Sequence, residues 1–330
     1  MARHLEKAFD FFRQRRIFCC EENTRNIKHL EDTLLNVSTY YYNHLVDDSF
    51  PGRNVTNPPS WRRQVISAHA NTCDVIKFFR DVLGYEASEG FTKKCILSLI
   101  SIEDTLPNRL SWDNGMWSKD YQQLIFGQGV VRGRLCSLAV NKDIVAHELA
   151  HALIIFICAL DYKEESGALE ESYADIFAVI IANYPNTNIQ EWNWKLGDGF
   201  GQKGGPVRVL NHPAKFGQPE HMDDYRYLLD TQSACGDNDW GWLHHNSGIH
   251  NKAGYNLLTA KDSQGNFFFS PDLVAQLFYQ ALYYLRPNSD FRDSRTAIEM
   301  AAKTLFRKDG NKQEKLEAIA IAFNQVGIFS

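Results

Sequence analysis

The sequence predicts an α+β protein with a β-rich N-terminal lobe and a mainly α-helical C-terminal lobe. Short strand-like runs alternate with turn residues in the first part of the chain. From residue 143 onward the apolar residues recur with a helical period, and most of the remaining chain keeps that pattern. We expect the lobes to span residues 1–162 and 163–330, with the active-site cleft between them, because ligand sites favour such clefts.

The N-terminal lobe is expected to combine loops, one helix and short strands. The first residues suggest a charged helical start, and the stretch 47–61, rich in Asn, Pro and Gly, indicates a loop. Apolar residues at spacings of three and four predict a helix over 64–82, which Gly84 ends. Strands are predicted at 95–102 and 122–126. The turn residues between these two strands include Pro107, Asn108, Asn114 and Gly115.

Two adjacent helices joined by a short loop are predicted next. The segments 143–160 and 170–183 both have a helical apolar period, and neither contains proline. A long irregular stretch rich in Gly, Asp and Pro follows at 192–239, and the chain then returns to a mostly helical pattern.

Composition excludes several classes of partner. The chain has 35 Lys and Arg against 40 Asp and Glu, which gives no basic stripe for a phosphate backbone, so we expect no nucleic-acid partner. The apolar run 152–160 is about half as long as the roughly 20 residues of a membrane-spanning helix, so no membrane span is expected. The first twenty residues lack the apolar region of a secretory signal, and we expect none in the chain as written. The sequence does not indicate a cellular compartment.

The cysteines do not indicate a disulfide framework. There are seven, an odd number, and no C-x-x-C pair is present. The adjacent Cys19 and Cys20 could form a strained disulfide, but two free thiols are favoured.

The motif His147-Glu148-Leu149-Ala150-His151 carries the strongest chemical signal. On a helix, residues four apart lie on one face, so both imidazoles can reach one metal ion. Glu148 is placed to take a proton from metal-bound water rather than to bind the metal. The alternative is a helix with two ordinary histidines and a solvated glutamate, and the motif alone does not exclude it.

A catalytic zinc takes three protein ligands and keeps one position open for water. Glu171 lies twenty positions after His151, on the next predicted helix, and supplies a third ligand. Asp175 follows four residues later on the same face, where it could accept the outer ring N–H of a liganding histidine. As isolated residues, these acidic groups would be explained by the dipole at a helix N-terminus. The combination predicts one catalytic Zn2+.

With these residues, the chain resembles the thermolysin family of neutral zinc metallopeptidases. The residues Val145 to Leu149, Glu165 to Ala168, Glu171 and Asp175 to Phe177 stand at that family's spacing. Two later runs, 208–217 and 244–253, look like further family signatures in the same order. The resemblance extends from about residue 64 to the C-terminus and implies the thermolysin-like two-lobed fold, action on protein or peptide substrates, and extracellular activity. We expect a monomer.

The resemblance also implies roles for residues far from the motif. His244 and Tyr162 match the donors to the oxyanion of the tetrahedral intermediate, and such donors contribute a few kcal/mol each. Asp239 matches the carboxylate that orients the histidine. Arg208 matches the arginine that binds the substrate carbonyl after the cut and braces the zinc-liganding region.

Substrate binding is expected at an edge segment and an apolar pocket. Asn114 and Gly115 match the family segment that aligns the peptide backbone as an added strand. The pocket for the residue after the cut is expected to be lined by Leu135, Leu138, Ile144 and Val207. These apolar residues predict cleavage on the N-terminal side of bulky apolar residues.

The sequence departs from the family pattern at two sites. At the family's double calcium site Asp143 and Asp198 remain, but the other matching positions are Ala182, Asn193 and Lys195. Calcium takes six to eight oxygen ligands, so we expect no calcium at this site, with Lys195 supplying positive charge instead. Glu170 stands where the family has Asn, and its carboxylate could bond the outer nitrogen of His151.

These observations predict an endopeptidase in which Glu148 assists the attack of zinc-bound water. An exopeptidase with the same ligands would need a group that binds a free terminus, and the sequence presents no dedicated one. A zinc-stabilised binding or toxin module would not require Glu148, Tyr162, Asp239 and His244 together.

Overall fold

The structure is a computed structural model that describes residues 1–43, 47–85, 95–100, 112–131 and 133–330. The chain divides into two compact units. The first comprises Met1–Ala152 with Gly197–Val207, and the second comprises Leu153–Leu196 with Arg208–Ser330. The division passes through a helix. The lobe boundary expected after Tyr162 stays a prediction.

The first unit begins with a β-hairpin, so the helical start expected from the sequence is wrong. Strand β1 is Ala2–Phe9, and it pairs antiparallel with β2, Arg15–Glu22. Side-chain exposure alternates along β1, which is the period of a strand, and the ladder to β2 satisfies its backbone groups. The short strands β3, Lys28–His29, and β7, Thr56–Asn57, complete a sheet in the order β1-β2-β3-β7.

A second, mixed sheet contains the strands expected from the sequence. Its order is β4-β5-β8-β10-β9, and β6 pairs with β5. The strands are β4 Glu31–Asp32, β5 Val37–Tyr42, β6 Arg53–Asn54, β8 Cys95–Ile100, β9 Gly115–Ser118 and β10 Gln123–Phe126. The expected loop at 47–61 thus holds β6 and β7. The end of the predicted strand 95–102 and the turn residues Pro107 and Asn108 lie outside the described residues. Strand β9 pairs antiparallel with β10 at the end of this order.

The predicted first helix is confirmed. Helix α1 is Arg63–Phe78, and a π-helical turn, Phe79–Leu83, extends it to Gly84, whose φ of 72° is the left-handed stop that favours glycine. The hairpin β11 Gln128–Val131 with β12 Arg134–Ser137 follows. Cys19 and Cys20 are separate buried thiols.

Helix α2, Lys142–Ile157, carries the metal-binding motif and crosses the division between the units. Residues 143–154 are all buried, so the helix is surrounded by protein for most of its length. This burial explains why its apolar residues cover nearly every face rather than one stripe.

The second unit is helical, as predicted. Helix α3, Glu164–Asn183, begins six residues before the predicted start at 170, and the acidic pair Glu164 and Glu165 in its first turn suits a helix N-terminus. The later helices are α4 Asp239–Leu258, α5 Pro271–Leu282, α6 Phe291–Leu305 and α7 Lys312–Asn324. The irregular stretch holds the short pair β13 Lys195–Leu196 and β14 Arg208–Val209. In the described ranges, no helix is long and apolar enough to cross a membrane.

Candidate active site

The two histidines of the motif meet on one face of α2. His147 and His151 are one helical turn apart, and their Nε2 atoms lie 3.0 Å from each other. Their rings are edge to face, with centroids 4.6 Å apart, and both side chains are buried. Two ring nitrogens directed at the same point are suited to hold a metal ion.

Glu171 completes a group of three candidate ligands. Among the described residues, the ligand atoms of His147, His151 and Glu171 all lie within 4.8 Å of one another. Two nitrogens bound to one tetrahedral zinc at about 2.1 Å each would be roughly 3.4 Å apart. The observed separation of the imidazole nitrogens, 3.0 Å, is near that value. The donor set therefore fits a single zinc ion, and three protein ligands leave the fourth position open.

Glu148 lies beside the edge strand β9. Its Oε2 atom accepts a hydrogen bond from the backbone amide of Trp117 at 3.2 Å. A Cβ added at Gly115 would lie 3.3 Å from Oε1 of the same carboxylate. The glutamate that the sequence predicts as a base is thus held next to the strand predicted to align substrate.

A buried ionic cluster surrounds Glu171 in the second unit. Arg208 Nη2 donates to Asp175 Oδ1 at 2.8 Å, Arg208 Nε lies 2.8 Å from Asp175 Oδ2 as an ion pair, and Nη2 lies 3.5 Å from Glu171 Oε2. Burial lowers the pKa of Arg208, but Asp175 and Glu171 outweigh that effect and raise the pKa above its usual value. Arg208 is therefore a permanent cation that braces the glutamate and the aspartate.

Tyr162 and His244 lie beside Glu171, and Asp239 contacts His244. The Tyr162 hydroxyl donates to Glu171 Oε1 at 2.6 Å and lies 3.3 Å from His244 Nε2. Asp239 Oδ1 lies 2.6 Å from His244 Nδ1. Burial lowers the pKa of His244, but Glu171 and Asp239 outweigh it and raise the pKa to about 9. Asp239 thus orients the ring through Nδ1, and Nε2 lies 3.4 Å from Glu171 Oε1.

The other residues that the sequence predicts for the site lie at its edge strand, in the expected pocket and on helix α3. Asn114 is exposed, and its Oδ1 accepts from the Gly115 amide at 2.9 Å. Leu138 is buried, whereas Val207 is 46% exposed. Glu170 is buried on α3, and its expected bond to His151 stays a prediction, as does the expected bond from a histidine to Asp175.

Sequence reasoning missed three contacts of the site. Asn251 donates to Asp175 Oδ2 at 2.9 Å, and Gln218 donates to the carbonyl oxygen of His244 at 2.6 Å. The third contact is the amide of Trp117 described above. Asn251 lies within the run 244–253 and Gln218 directly follows the run 208–217, which is the available signal, whereas a backbone amide leaves no signal in a sequence.

A His-Glu-x-x-His helix with a later glutamate is the donor set of a single-zinc hydrolase. The protein-family model described as "Thermolysin metallopeptidase, catalytic domain" matches residues 7–155 of the chain. A second family model, described as "Thermolysin metallopeptidase, alpha-helical domain", matches residues 158–328. The chain belongs to the thermolysin metallopeptidase family.

Individual relatives agree with this assignment. A zinc metalloproteinase of Listeria monocytogenes is 32% identical over 301 residues, which cover 88% of this chain and 52% of that protein. A thermolysin of Alicyclobacillus acidocaldarius is 30% identical over 324 residues, covering 88% of this chain and 54% of that protein. The chain thus spans about half the length of the curated relatives it matches.

A solved structure supports the fold. The precursor of protealysin, a metalloproteinase from Serratia proteamaculans, matches with a TM-score of 0.68 over 88% of this chain and 87% of that one. At 22% identity this similarity shows the fold, and the thermolysin-like architecture predicted from the sequence is confirmed.

Proposed function

We propose that this chain is a zinc-dependent endopeptidase that hydrolyses peptide bonds on the N-terminal side of bulky apolar residues. The observation that carries the proposal is the grouping of His147, His151 and Glu171 within 4.8 Å, with Glu148 held beside them on the same helix as the histidines. The thermolysin and metalloproteinase relatives support peptides or proteins as substrates.

His147, His151 and Glu171 would hold the zinc ion. When bound, zinc polarises a substrate carbonyl and lowers the pKa of water, which makes hydrolysis possible near neutral pH. Arg208 pairs with Glu171 and Asp175, and so fixes the carboxylate that would serve as ligand.

Glu148 acts as general base and then as general acid. As water attacks the carbonyl carbon, its proton passes to the Glu148 carboxylate, and the same proton then goes to the leaving amine as the C–N bond breaks. The hydrogen bond from the Trp117 amide fixes one oxygen of this carboxylate and leaves the other for the proton.

His244 and Tyr162 stabilise the oxyanion that forms on the former carbonyl oxygen. The Tyr162 hydroxyl and His244 Nε2 lie 2.6 and 3.4 Å from Glu171 Oε1, so both groups are placed beside the proposed zinc site, where they would donate to the oxyanion. Asp239 orients the ring through Nδ1 and leaves Nε2 directed toward the reaction.

The substrate backbone would add to the edge of β9 beside Asn114 and Gly115. An unpaired strand edge offers the hydrogen bonds that an extended peptide needs, and β9 ends the described order of its sheet. Arg208 would bind the carbonyl after the cut, and Leu138 and Val207 would line the pocket for the following side chain. Their apolar character supports the preference for bulky apolar residues.

The finer expectations stay part of the proposal. No calcium is expected at the family's double site, where Lys195 stands, and the enzyme is expected to act as a monomer. Extracellular action is proposed from the family. None of these features enters the chemistry at Glu148.

The proposal is tested by comparing wild type with Glu148→Gln on casein or a quenched peptide, with zinc measured in both. Zinc in both proteins and turnover in the wild type alone would support the mechanism, because the amide keeps the size of Glu148 and cannot take the proton. The exposed Glu191→Gln is the matched control and should keep full activity. If the Glu148→Gln variant hydrolysed no peptide but kept the biological effect of the wild type, the chain would instead act as a binding module.

A further inference from the structure

The chain entering helix α4 makes an unusual turn. Asp239, Trp240, Gly241 and Trp242 have φ values of 52°, 50°, 90° and 65° in sequence, with ψ between 33° and 41°. These are left-handed helical values, which cost roughly 1–2 kcal/mol for each residue that carries a Cβ. We call residues 239–242 the left-handed turn. Three of its four residues are not glycine, so other contacts must hold it.

The left-handed turn folds Asp239 back onto His244. The carboxylate accepts from the His244 backbone amide at 2.9 Å through Oδ2 and lies 2.6 Å from its Nδ1 through Oδ1. In a right-handed helix a residue five positions later is rotated by roughly 140°, which would separate the two side chains. Both hydrogen bonds between Asp239 and His244 therefore span the left-handed turn.

Two local contacts hold the start of the turn. Asn238 Oδ1 accepts from the amides of Gly241 and Cys235 at 3.2 and 2.9 Å. A Cβ at Gly241 would lie 2.6 Å from Glu164 Cγ and 3.1 Å from its backbone, so the turn packs closely on the first residue of α3. Trp240 also donates its amide to the carbonyl oxygen of Cys235 at 2.7 Å, and Trp242, the last left-handed residue, has a contact of its own.

Arg226 provides that contact. Its guanidinium carbon lies 3.3 Å from the centroid of the Trp242 ring. The backbone of Arg226 is fixed on both sides by Asn246, which accepts from its amide and donates to its carbonyl, each at 2.9 Å. Asn246 lies two residues beyond His244 on α4. The backbone of Arg226 is thus bonded to Asn246, which follows His244 in the sequence. Its guanidinium covers the ring of Trp242, which precedes His244.

We propose that Arg226 and Trp242 are positioning residues that hold the left-handed turn and, through Asp239, set the orientation of His244. The proposal rests on the proposed role of His244 in peptide hydrolysis, but it also makes a structural claim that needs no activity. The planar guanidinium is suited to stacking on an indole face, whereas a lysine ammonium at this position would not be equivalent.

Hydrogen exchange at the His244 amide tests the structural claim. That amide is bonded to Asp239 through the turn, so Arg226→Met should accelerate its exchange about fivefold, the factor that corresponds to roughly 1 kcal/mol. Trp242→Leu should have a similar effect, whereas Trp242→Phe keeps a ring face and should stay within about twofold of wild type. Because Arg226 is exposed and Trp242 is half-buried, either variant can test the claim if the other folds poorly.

The matched control is Lys315→Met, which removes a cation 4.7 Å from the centroid of the Phe306 ring. It should leave exchange at His244 unchanged. Equal exchange in wild type, Arg226→Met and Trp242→Leu would overturn the proposal, whatever the activity.

Kinetics on a quenched peptide test the link to His244. In Arg226→Met and in Trp242→Leu we expect kcat to fall about fivefold, the same factor, with KM and zinc content unchanged, whereas Trp242→Phe should keep kcat within about twofold of wild type. Accelerated exchange with an unchanged kcat would overturn the link between the turn and the reaction. If the wild type itself hydrolyses no peptide, the proposed function fails, while the exchange result still decides whether Arg226 holds the turn.

Discussion

Glu148 Oε2 accepts a hydrogen bond from the backbone amide of Trp117 at 3.2 Å, which joins helix α2 to the edge strand β9. The contact fixes the proposed base at the strand where a substrate backbone would add. It also restricts what can stand at Gly115, two residues before Trp117, because that glycine lies against the same carboxylate.

Gly115→Ala should lower kcat/KM about tenfold. The new Cβ would lie 2.9 Å from Phe126 Cδ1 and 3.3 Å from Glu148 Oε1, so the ring and the carboxylate must both shift, and a small displacement of a base is costly. Kinetics on a quenched peptide check this. Gly310→Ala is the control, because its Cβ meets no atom within 4 Å, and it should keep wild-type activity. Equal activity in the two variants would show that Gly115 does not constrain the base.

Acid should destabilise the first unit through His69. Burial lowers the pKa of His69 to about 4 from 6.5, and the ring bonds Thr39 Oγ1 at 2.8 Å and the Cys19 carbonyl oxygen at 3.2 Å. Between pH 6.5 and pH 4 the unfolded chain therefore binds one more proton at His69 than the folded chain does. The stabilisation is complete above about pH 6.5 and falls toward pH 4, by roughly 3 kcal/mol in total.

Urea unfolding at several pH values checks this expectation. In His69→Gln the side chain cannot titrate, so the slope of the unfolding free energy between pH 6.5 and 4 should be smaller by up to one proton. Parallel pH profiles for wild type and variant would contradict the assignment to His69.

Ser294→Ala should destabilise the second unit by about 2–6 kcal/mol, because two buried polar groups lose a partner. The Ser294 hydroxyl is buried between His250 Nε2 and the Tyr173 hydroxyl, each at 2.9 Å. Removing it leaves two buried polar groups without that partner, which costs about 1–3 kcal/mol for each group. Chemical denaturation measures the loss. Ser263→Ala, at an exposed loop position, should change stability by less than about 0.5 kcal/mol.

A calcium-selective chelator should leave the melting temperature nearly unchanged when zinc is kept saturating. Asp143 is buried, and its two oxygens already accept from the amides of Ile144 and Gly197, each at 2.8 Å. Burial raises the pKa of Asp143 to about 6, although the two hydrogen bonds by themselves lower this pKa. Differential scanning fluorimetry with and without added calcium checks the prediction. A drop of many degrees on chelation would refute it, unless a calcium site elsewhere in the chain explained it.

Digestion of a peptide library, with products mapped by mass, should give cuts before Leu, Phe and Ile. Val207→Phe should move the preference toward smaller residues by about tenfold, because an added ring in an apolar pocket is worth a few kcal/mol against a bulky side chain. Val207 is 46% exposed, so the variant should fold. Cuts clustered before charged residues in the wild type would contradict the proposed pocket.

Much of the candidate site could be predicted because its residues repeat at helical spacing. His147 and His151 are four apart on α2, and Glu171 and Asp175 are four apart on α3, so local geometry alone gives each pair one face. The roles of Tyr162, Asp239 and His244 came from resemblance, since nothing local links a tyrosine to a histidine 82 residues away. The structure places Tyr162 and His244 beside Glu171, with Asp239 bonded to His244.

The errors have a common physical origin. The charged start of the chain looked helical, but Ala2–Phe9 is a strand because β2 supplies its hydrogen-bond partners, and pairing between strands depends on residues that are not adjacent in sequence. The start of α3 was placed six residues late because its first turn lacks the apolar period that marked the rest. Tertiary packing overrode local preference in both places.

The sequence by itself determined the chemistry: two histidines and a glutamate at metal-binding spacing, a base between the histidines, and membership of a family. Only the tertiary structure decided that Trp117 bonds the base, that Arg208 ties Glu171 to Asp175, and that a left-handed turn directs Asp239 onto His244. Spacing along a helix is a local property that residue order fixes. The hand of a strained turn and the partner of a buried charge depend on contacts between distant segments, and these exist only after the chain has folded.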